Sequence, residues 1–166
     1  MVYQLEEVLQ EVASYEARYV TVTGGEPLAQ PECLALLEAL CNASYTVSLE
    51  TSGAMDVAQV DPRVVKVLDL KTPGSLEVAR NLESNIALLT PQDQVKFVIC
   101  DQADYQWAKA KVAEFDLDRK VSDVLFSPSN QELEARDLAE WILADHLDVR
   151  LQVQLHKYLW DNQPGH

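Results

Sequence analysis

Residues 19–27 read Tyr-Val-Thr-Val-Thr-Gly-Gly-Glu-Pro, and the rest of the chain can be laid out around this stretch. Alternating β-branched residues over 19–23 predict a β-strand. Two glycines then let the backbone turn sharply and approach a ligand closely, and the proline ends the strand. In parallel α/β folds, ligands bind where such strands end. The Gly-Gly-Glu end of this strand is therefore a predicted binding site.

The composition indicates an acidic globular domain. The 166 residues suit a single domain spanning 1–166, and 48% hydrophobic residues are enough for a core. The formal net charge is -14, and the 13 basic residues are scattered along the chain. A nucleic-acid-binding protein normally shows a basic patch. We therefore expect neither nucleic acid nor an anionic membrane as a partner.

The sequence contains no apolar run long enough to cross a bilayer, and residues 1–10 have acidic residues and no apolar region typical of a signal peptide. The three cysteines are an odd number, which argues against a disulfide framework. These features predict a cytoplasmic protein.

Apolar periodicity predicts strands that alternate with helices along the chain. The predicted strands are residues 19–23, 46–49, 64–70, 94–99, 123–126 and 149–155. The predicted helices are residues 5–12, a segment from Pro31 to about 40, and residues 75–81, 103–115 and 131–145, with Ser75 and Asn130 as N-caps. This alternation predicts parallel strands with helical crossovers. Six strands are too few for a complete eight-stranded barrel, so a partial barrel and an open doubly wound sheet remain alternatives.

Polar side chains follow five of the predicted strands. Taken singly, each fits a structural role: Asp69 and Lys71 could form only an ion pair, and residues 127–130 only a turn and a cap. Five polar strand ends at one edge of a sheet favour a ligand site instead. The candidate residues are Gly24, Gly25, Glu26, Glu50, Ser52, Asp69, Lys71, Ser127, Gln154 and His156.

The cysteines are predicted to be buried or incidental thiols. Cys33 and Cys41 belong to one predicted buried helical stripe, whose other members are Leu34, Leu37 and Leu40. Cys100 follows a different strand. Cluster-ligating cysteines are normally close together in one loop, and the three histidines are not spaced like zinc ligands. No metal ligand is therefore predicted in this chain.

The Gly-Gly-Glu-Pro motif at residues 24–27 resembles the GGEP motif of radical S-adenosylmethionine enzymes, whose backbone holds the amino group of the methionine moiety. Further segments resemble, in the same order, the 7-carboxy-7-deazaguanine synthase family. These segments are residues 50–53, 69–73, 95–98, 127–129 and 154–157. The resemblance spans residues 19–158 and implies a partial TIM-like parallel β/α barrel that lacks its first strand.

For the complete enzyme, the resemblance implies a carbon–nitrogen lyase of queuosine biosynthesis. Its cofactors are S-adenosylmethionine, a [4Fe–4S] cluster and Mg²⁺, and it converts 6-carboxy-5,6,7,8-tetrahydropterin to 7-carboxy-7-deazaguanine. By motif position, the residues assigned to S-adenosylmethionine are Gly24, Gly25, Glu26, Ser52, Asp69, Lys71 and Ser127. Those assigned to the pterin are Glu50, Gln154 and His156. The planar donor–acceptor edge of a pterin suits a carboxylate such as Glu50.

The chain departs from the family at its start. The first strand of the family, with its cluster-binding cysteines and magnesium-binding threonine, has no counterpart here. We therefore expect a C-terminal fragment that is inactive alone. A sheet without its first strand exposes an edge, so we expect a homodimer or a covered edge. Two alternatives remain: an activase for a glycyl-radical enzyme, and a cluster-less module that binds S-adenosylmethionine or a pterin without turnover.

Overall fold

A computed structural model describes residues 4–130, 132–155 and 159. Its six strands form one parallel sheet in the order β1-β2-β3-β4-β5-β6. They are β1 (Tyr19–Val22), β2 (Thr46–Thr51), β3 (Val65–Asp69), β4 (Gln94–Ile99), β5 (Asp123–Pro128) and β6 (Arg150–Leu151). A doubly wound sheet reverses its strand order at a switch point, whereas this order follows the chain throughout. The fold is therefore an α/β partial TIM-like barrel, as the resemblance implied.

Five α-helices accompany the sheet in the described part of the chain. They are α1 (Leu5–Ser14), α2 (Cys33–Asn42), α3 (Gln102–Glu114), α4 (Leu117–Lys120) and α5 (Ala135–Ala144). Short 3₁₀ turns cover Pro27–Ala29, Pro73–Ser75, Val78–Arg80 and Glu83–Leu88. The start of α3 is fixed by Asp101, whose carboxylate accepts the Asp104 N–H at 2.9 Å.

The two faces of the sheet differ in polarity because side chains alternate along each strand. One face packs against the helices and forms the apolar core, in which Leu49, Leu68, Phe97 and Phe126 are fully buried. Tyr105 of α3 meets Phe126 edge-to-face, with ring centroids 5.9 Å apart. The opposite face, called here the concave face, carries the alternate residues of each strand, and most of these are polar.

The predicted helix at residues 75–81 is wrong. The chain forms 3₁₀ turns there, and Leu76 adopts a left-handed backbone with φ 60°, which interrupts any helix. Ser75 does not cap a helix. Its hydroxyl donates to the Thr72 carbonyl at 2.6 Å and accepts the Glu77 N–H at 3.2 Å, closing a local turn.

Other boundaries also differ from the prediction: β2 and β5 each end two residues later, at Thr51 and Pro128. Helix α5 begins at Ala135 after Glu134, so Asn130 is not its N-cap. Helix α2 begins at Cys33, two residues after Pro31. The last strand is only two residues long. Its pairing stops beside the end of β5, where Pro128 has no N–H to donate to a further ladder bond.

Leu34 is 37% exposed and does not belong to the buried stripe of α2, although Cys33, Leu37, Leu40 and Cys41 do. The buried stripe of α2 is therefore narrower than predicted.

Strand β1 is an edge strand: in the described residues, no strand pairs with it other than β2. The described residues therefore contain no strand that covers the free edge of β1. Dimerisation through this edge stays a prediction. No helix in the described ranges has the length and apolar character needed to span a membrane.

Candidate functional site

The concave face forms a polar cleft at the carboxyl ends of β1 to β4. Its walls contain two carboxylates, two lysines, several hydroxyls and bare backbone. The lining residues are Thr23, Gly25, Glu50, Thr51, Ser52, Val67, Asp69, Lys71 and Lys96. The structure therefore brings five of the predicted residues to one cleft: Gly25, Glu50, Ser52, Asp69 and Lys71.

Gly25 lines this cleft, and Gly24 directly before it lines a neighbouring, mostly apolar pocket. Their φ angles are 101° and 55°, in the region that favours glycine, and a Cβ at either position would meet nothing within 4 Å. Within the described residues, no hydrogen bond uses their N–H or C=O groups. These groups are free to bind a polar ligand, and the carbonyls suit an ammonium group.

Glu26 has a structural role that the sequence did not indicate. Its carboxylate accepts hydrogen bonds from the Ser52 N–H at 2.8 Å and from the Thr51 hydroxyl at 2.9 Å. It also accepts from the Ser52 hydroxyl and from the Leu28 N–H. Burial raises the pKa of Glu26, but these hydrogen bonds outweigh burial and hold that pKa below its ordinary value. The carboxylate thus ties the end of β1 to the end of β2.

The segment after β3 is held in place by long-range side-chain contacts. Asn81 accepts the Lys71 N–H and donates to the Lys71 carbonyl, both at 2.9 Å. The fully buried Asp104 accepts the Thr72 hydroxyl at 2.9 Å and the Gly74 N–H at 2.8 Å. These contacts fix the backbone from which Lys71 reaches the cleft.

Asp69 and Lys71 form an ion pair of 2.6 Å, as the plain structural interpretation allowed. The pairing uses only one oxygen of Asp69. Its other oxygen, Oδ1, is buried and has no hydrogen-bond partner in the described part of the chain. Burying an unpaired oxygen is unfavourable, so this atom is prepared to accept a donor from a ligand.

Ser127 and Gln154 do not line the cleft. Ser127 is buried, and its hydroxyl donates to the Gln152 carbonyl at 2.7 Å. Gln154 is exposed beyond the end of β6. His156 lies outside the described residues.

Lys96 and Gln152 were not among the predicted site residues. Lys96 lines the cleft, and no ion pair involves it within the described ranges. Gln152 lines a lower pocket of the concave face together with Glu50 and Gln94. The sequence did contain a signal for Lys96: in β4, Gln94 and Lys96 alternate with buried apolar residues, which places both on the opposite face of the sheet.

The three cysteines occupy separate places. Cys33 and Cys41 lie on the buried side of α2, and burial raises the pKa of each thiol. Burial, together with a hydrogen bond to Glu132, raises the pKa of Cys100 to about 12. Metal-ligating cysteines are thiolates, and no cluster of three or more His, Cys, Asp or Glu residues suited to a metal occurs in the described ranges. The described residues therefore do not fit an iron–sulfur cluster.

Comparison with curated proteins identifies the family. The chain is 43% identical over 160 residues to a protein of Chlorobaculum tepidum named 7-carboxy-7-deazaguanine synthase, and the match covers 95% of this chain and 72% of that protein. The chain belongs to the 7-carboxy-7-deazaguanine synthase family. A synthase of the same name from Koribacter versatilis is 42% identical over 154 residues, covering 85% of this chain and 68% of that protein. No family model matches the sequence.

Solved structures agree with the fold. Streptococcus suis SuiB, in a crystal structure bound to S-adenosylmethionine, aligns with a TM-score of 0.62. The alignment covers 90% of this chain and 40% of that chain, at 14% identity. At that identity the likeness supports the partial-barrel fold of this member of the 7-carboxy-7-deazaguanine synthase family.

Proposed function

We propose that this chain provides the S-adenosylmethionine and pterin sites of a radical enzyme that converts 6-carboxy-5,6,7,8-tetrahydropterin to 7-carboxy-7-deazaguanine. The observation that carries the proposal is the concave cleft. In a chain of this family, the partner-free backbone of Gly25 lines the same cleft as Glu50, Asp69 and Lys71, directly after the partner-free backbone of Gly24.

The cleft offers complementary groups for each polar part of S-adenosylmethionine. The carbonyls of Gly24 and Gly25 accept hydrogen bonds from its ammonium group. Lys71 faces its carboxylate, and the unpaired Oδ1 of Asp69 accepts from a ribose hydroxyl. Glu26 acts indirectly, because its hydrogen bonds to Ser52 shape the wall of the cleft.

The pterin lies against the same face, next to Glu50. That carboxylate can accept the two adjacent N–H groups of the pyrimidine edge, and its one contact in the described residues, from the Thr23 hydroxyl, is long at 3.5 Å. Gln154 and His156 remain proposed pterin contacts from the end of the chain. Ser127 serves the site by holding Gln152 in place.

The described residues do not supply the metal chemistry that the family reaction needs. In the family reaction, an iron–sulfur cluster would supply the electron that cleaves S-adenosylmethionine, and Mg²⁺ would assist the ring contraction in which ammonia is lost. The scattered cysteines do not fit the cluster. We therefore derive only binding and positioning for this chain and propose that its 166 residues do not turn over alone.

Equilibrium dialysis with labelled S-adenosylmethionine tests the binding half of the proposal. We expect saturable binding to the chain, weakened about tenfold by Gly25→Val, since a β-branched residue is strained at φ 55°. Glu11→Gln, on the exposed face of α1, is the matched control and should bind like the parent chain. Absence of saturable binding would refute the site.

Anaerobic reconstitution with iron and sulfide tests the turnover half. We expect no [4Fe–4S] absorbance and no 5′-deoxyadenosine from the 166-residue chain. Detection of either the absorbance or 5′-deoxyadenosine would show that the cysteines of this chain form a working cluster site, contrary to their separate positions.

A further inference from the structure

The lower pocket of the concave face contains a polar group that the cleft chemistry leaves unused. The pocket has a volume of about 240 Å³, several times the roughly 30 Å³ that one water occupies in the liquid. Val65 and Val67 supply an apolar wall, while Glu50, Gln94 and Gln152 supply polar groups. An apolar wall with a polar rim suits a flat heterocycle, whose ring faces are apolar and whose edge is polar.

The amide of Gln152 has no hydrogen-bond partner in the described residues, and its Oε1 is buried. Only two buried side-chain oxygens or nitrogens in those residues lack a partner, this one and Oδ1 of Asp69. Both line pockets of the concave face. Native proteins contain few such groups, because a buried polar atom without a partner is unfavourable. Two on one face point to a ligand that pairs with them.

The backbone of Gln152 is anchored on both sides. Its N–H donates to the Phe126 carbonyl at 2.9 Å, and its carbonyl accepts the hydroxyl of the buried Ser127 at 2.7 Å. These two hydrogen bonds fix the backbone position from which the Gln152 side chain reaches the pocket. The fold holds it at the pocket that Glu50 also lines.

Resting on the proposed function, we infer that Gln152 is a specificity-determining residue that binds the 2-amino group of the pterin beside Glu50, with Ser127 as its positioning residue. The buried Oε1 of Gln152 is a hydrogen-bond acceptor. It therefore complements the 2-amino group of a pterin and not the oxygen that a lumazine carries in its place.

Fluorescence titration of the 166-residue chain with pterin-6-carboxylate tests the inference. We expect Gln152→Leu to weaken this binding about tenfold, the worth of one or two hydrogen bonds. The same change should reduce the preference of the parent chain for pterin-6-carboxylate over lumazine-6-carboxylate, and the remaining preference comes from Glu50. Gln106→Leu, on the exposed side of α3, is the matched control and should change neither value.

Affinity for S-adenosylmethionine, measured in parallel, separates the possible failures. Gln152→Leu should leave that affinity and the urea midpoint unchanged, which shows that the variant folds. Unchanged pterin affinity and unchanged discrimination in Gln152→Leu would overturn the role of Gln152 alone. A parent chain that binds S-adenosylmethionine but not pterin-6-carboxylate would overturn the inference and the pterin half of the proposed function. A parent chain that binds neither would overturn both proposals entirely.

Discussion

Glu26 shows what a single residue in a motif can hide. The sequence places a carboxylate directly after two glycines, which indicates a ligand contact. In the structure, both of its oxygens are occupied by donors from residues 28, 51 and 52. The donors of Thr51 and Ser52 lie at the end of β2, 25 and 26 positions away, so no local pattern could reveal them. The Gly-Gly backbone was predictable as a site, and the role of its neighbour was not.

Glu26→Gln should lower the free energy of unfolding by about 1–3 kcal/mol. The amide removes the charge that the donors of Thr51 and Ser52 stabilise, and it turns an N–H₂ group toward one of them. Urea unfolding followed by circular dichroism measures the change. Glu11→Gln, which is exposed, is the control and should be neutral. An equal effect of the two substitutions would refute the tie between β1 and β2.

The difference in stability between the parent chain and Glu26→Gln should depend on pH. The pKa of Glu26 is lowered in the folded chain, so its stabilising contribution is complete above the ordinary glutamate value of about 4.5 and is lost as the pH falls below it. The gap in unfolding free energy between the parent chain and Glu26→Gln should therefore shrink as the pH falls from about 4.5. A constant gap would contradict the lowered pKa.

Gln152 and Lys96 differ in how far the sequence indicates their position in the site. Their side chains face the site because of strand parity and pairing. The parity of β4 was readable from its alternation. The position of Gln152 depends on a two-residue strand and on Ser127, and neither gives a sequence pattern.

At the scale of elements, the segment after β3 was the main error. Its sequence, with a serine before Leu and Glu, indicates a helix start. The observed 3₁₀ turns are held by Asn81, Asn85 and Asp104, which bond to backbone 10 to 32 positions away. Such long-range side-chain contacts override local propensity. Short turns of this kind have no periodic signal of their own.

Gly74→Ala should destabilise the chain by about 1–3 kcal/mol. A Cβ there would lie 2.5 Å from Oδ2 of Asp104 and 3.1 Å from the Cβ of Cys100, which pack behind the turn. Thermal and urea unfolding measure the loss, with Ser84→Ala at an exposed position as control. Wild-type stability of Gly74→Ala would mean that this turn does not pack against the start of α3.

The pair of Lys66 and Asp93 joins β3 to the start of β4 inside the protein. Lys66 Nζ lies 3.0 Å from Asp93, and the two side chains are 6% and 0% exposed. Asp93 also accepts the Lys66 N–H and both the N–H and hydroxyl of Thr90.

Asp93→Ala should cost about 3–5 kcal/mol, because it leaves a buried ammonium and three further donors without an acceptor. Lys66→Met should cost clearly less, since Asp93 keeps its other donors and the methionine fills the space. Denaturant unfolding of both variants gives the comparison. A larger loss for Lys66→Met would show that the aspartate is not the centre of this network.

At the scale of the whole molecule, the alternation of strands and helices was enough to predict a parallel sheet, and all six predicted strands are present. The strand order was not predictable from periodicity alone, since a doubly wound sheet has the same alternation. The resemblance favoured the barrel, and the sequential order confirms it. Membership of the 7-carboxy-7-deazaguanine synthase family is confirmed by the relatives.

The unpaired side of β1 leads to a prediction about assembly. Exposed strand edges promote pairing with another chain, and Tyr19 at this edge is 67% exposed. Size-exclusion chromatography with light scattering should give twice the 18.6 kDa of one chain. Tyr19→Lys should shift the chain toward the monomer. A parent chain that is monomeric at all concentrations would count against dimerisation.

The central claim is that the concave face of this chain binds S-adenosylmethionine and a pterin, and amide chemical-shift mapping of the ¹⁵N-labelled chain tests it most directly. On titration with S-adenosylmethionine, we predict shifts at Gly24, Gly25, Ser52 and Lys71, and with pterin-6-carboxylate at Gln152. Val112, within the helical core, should stay unchanged. Shifts confined to the helices, or none with either compound, would contradict the account.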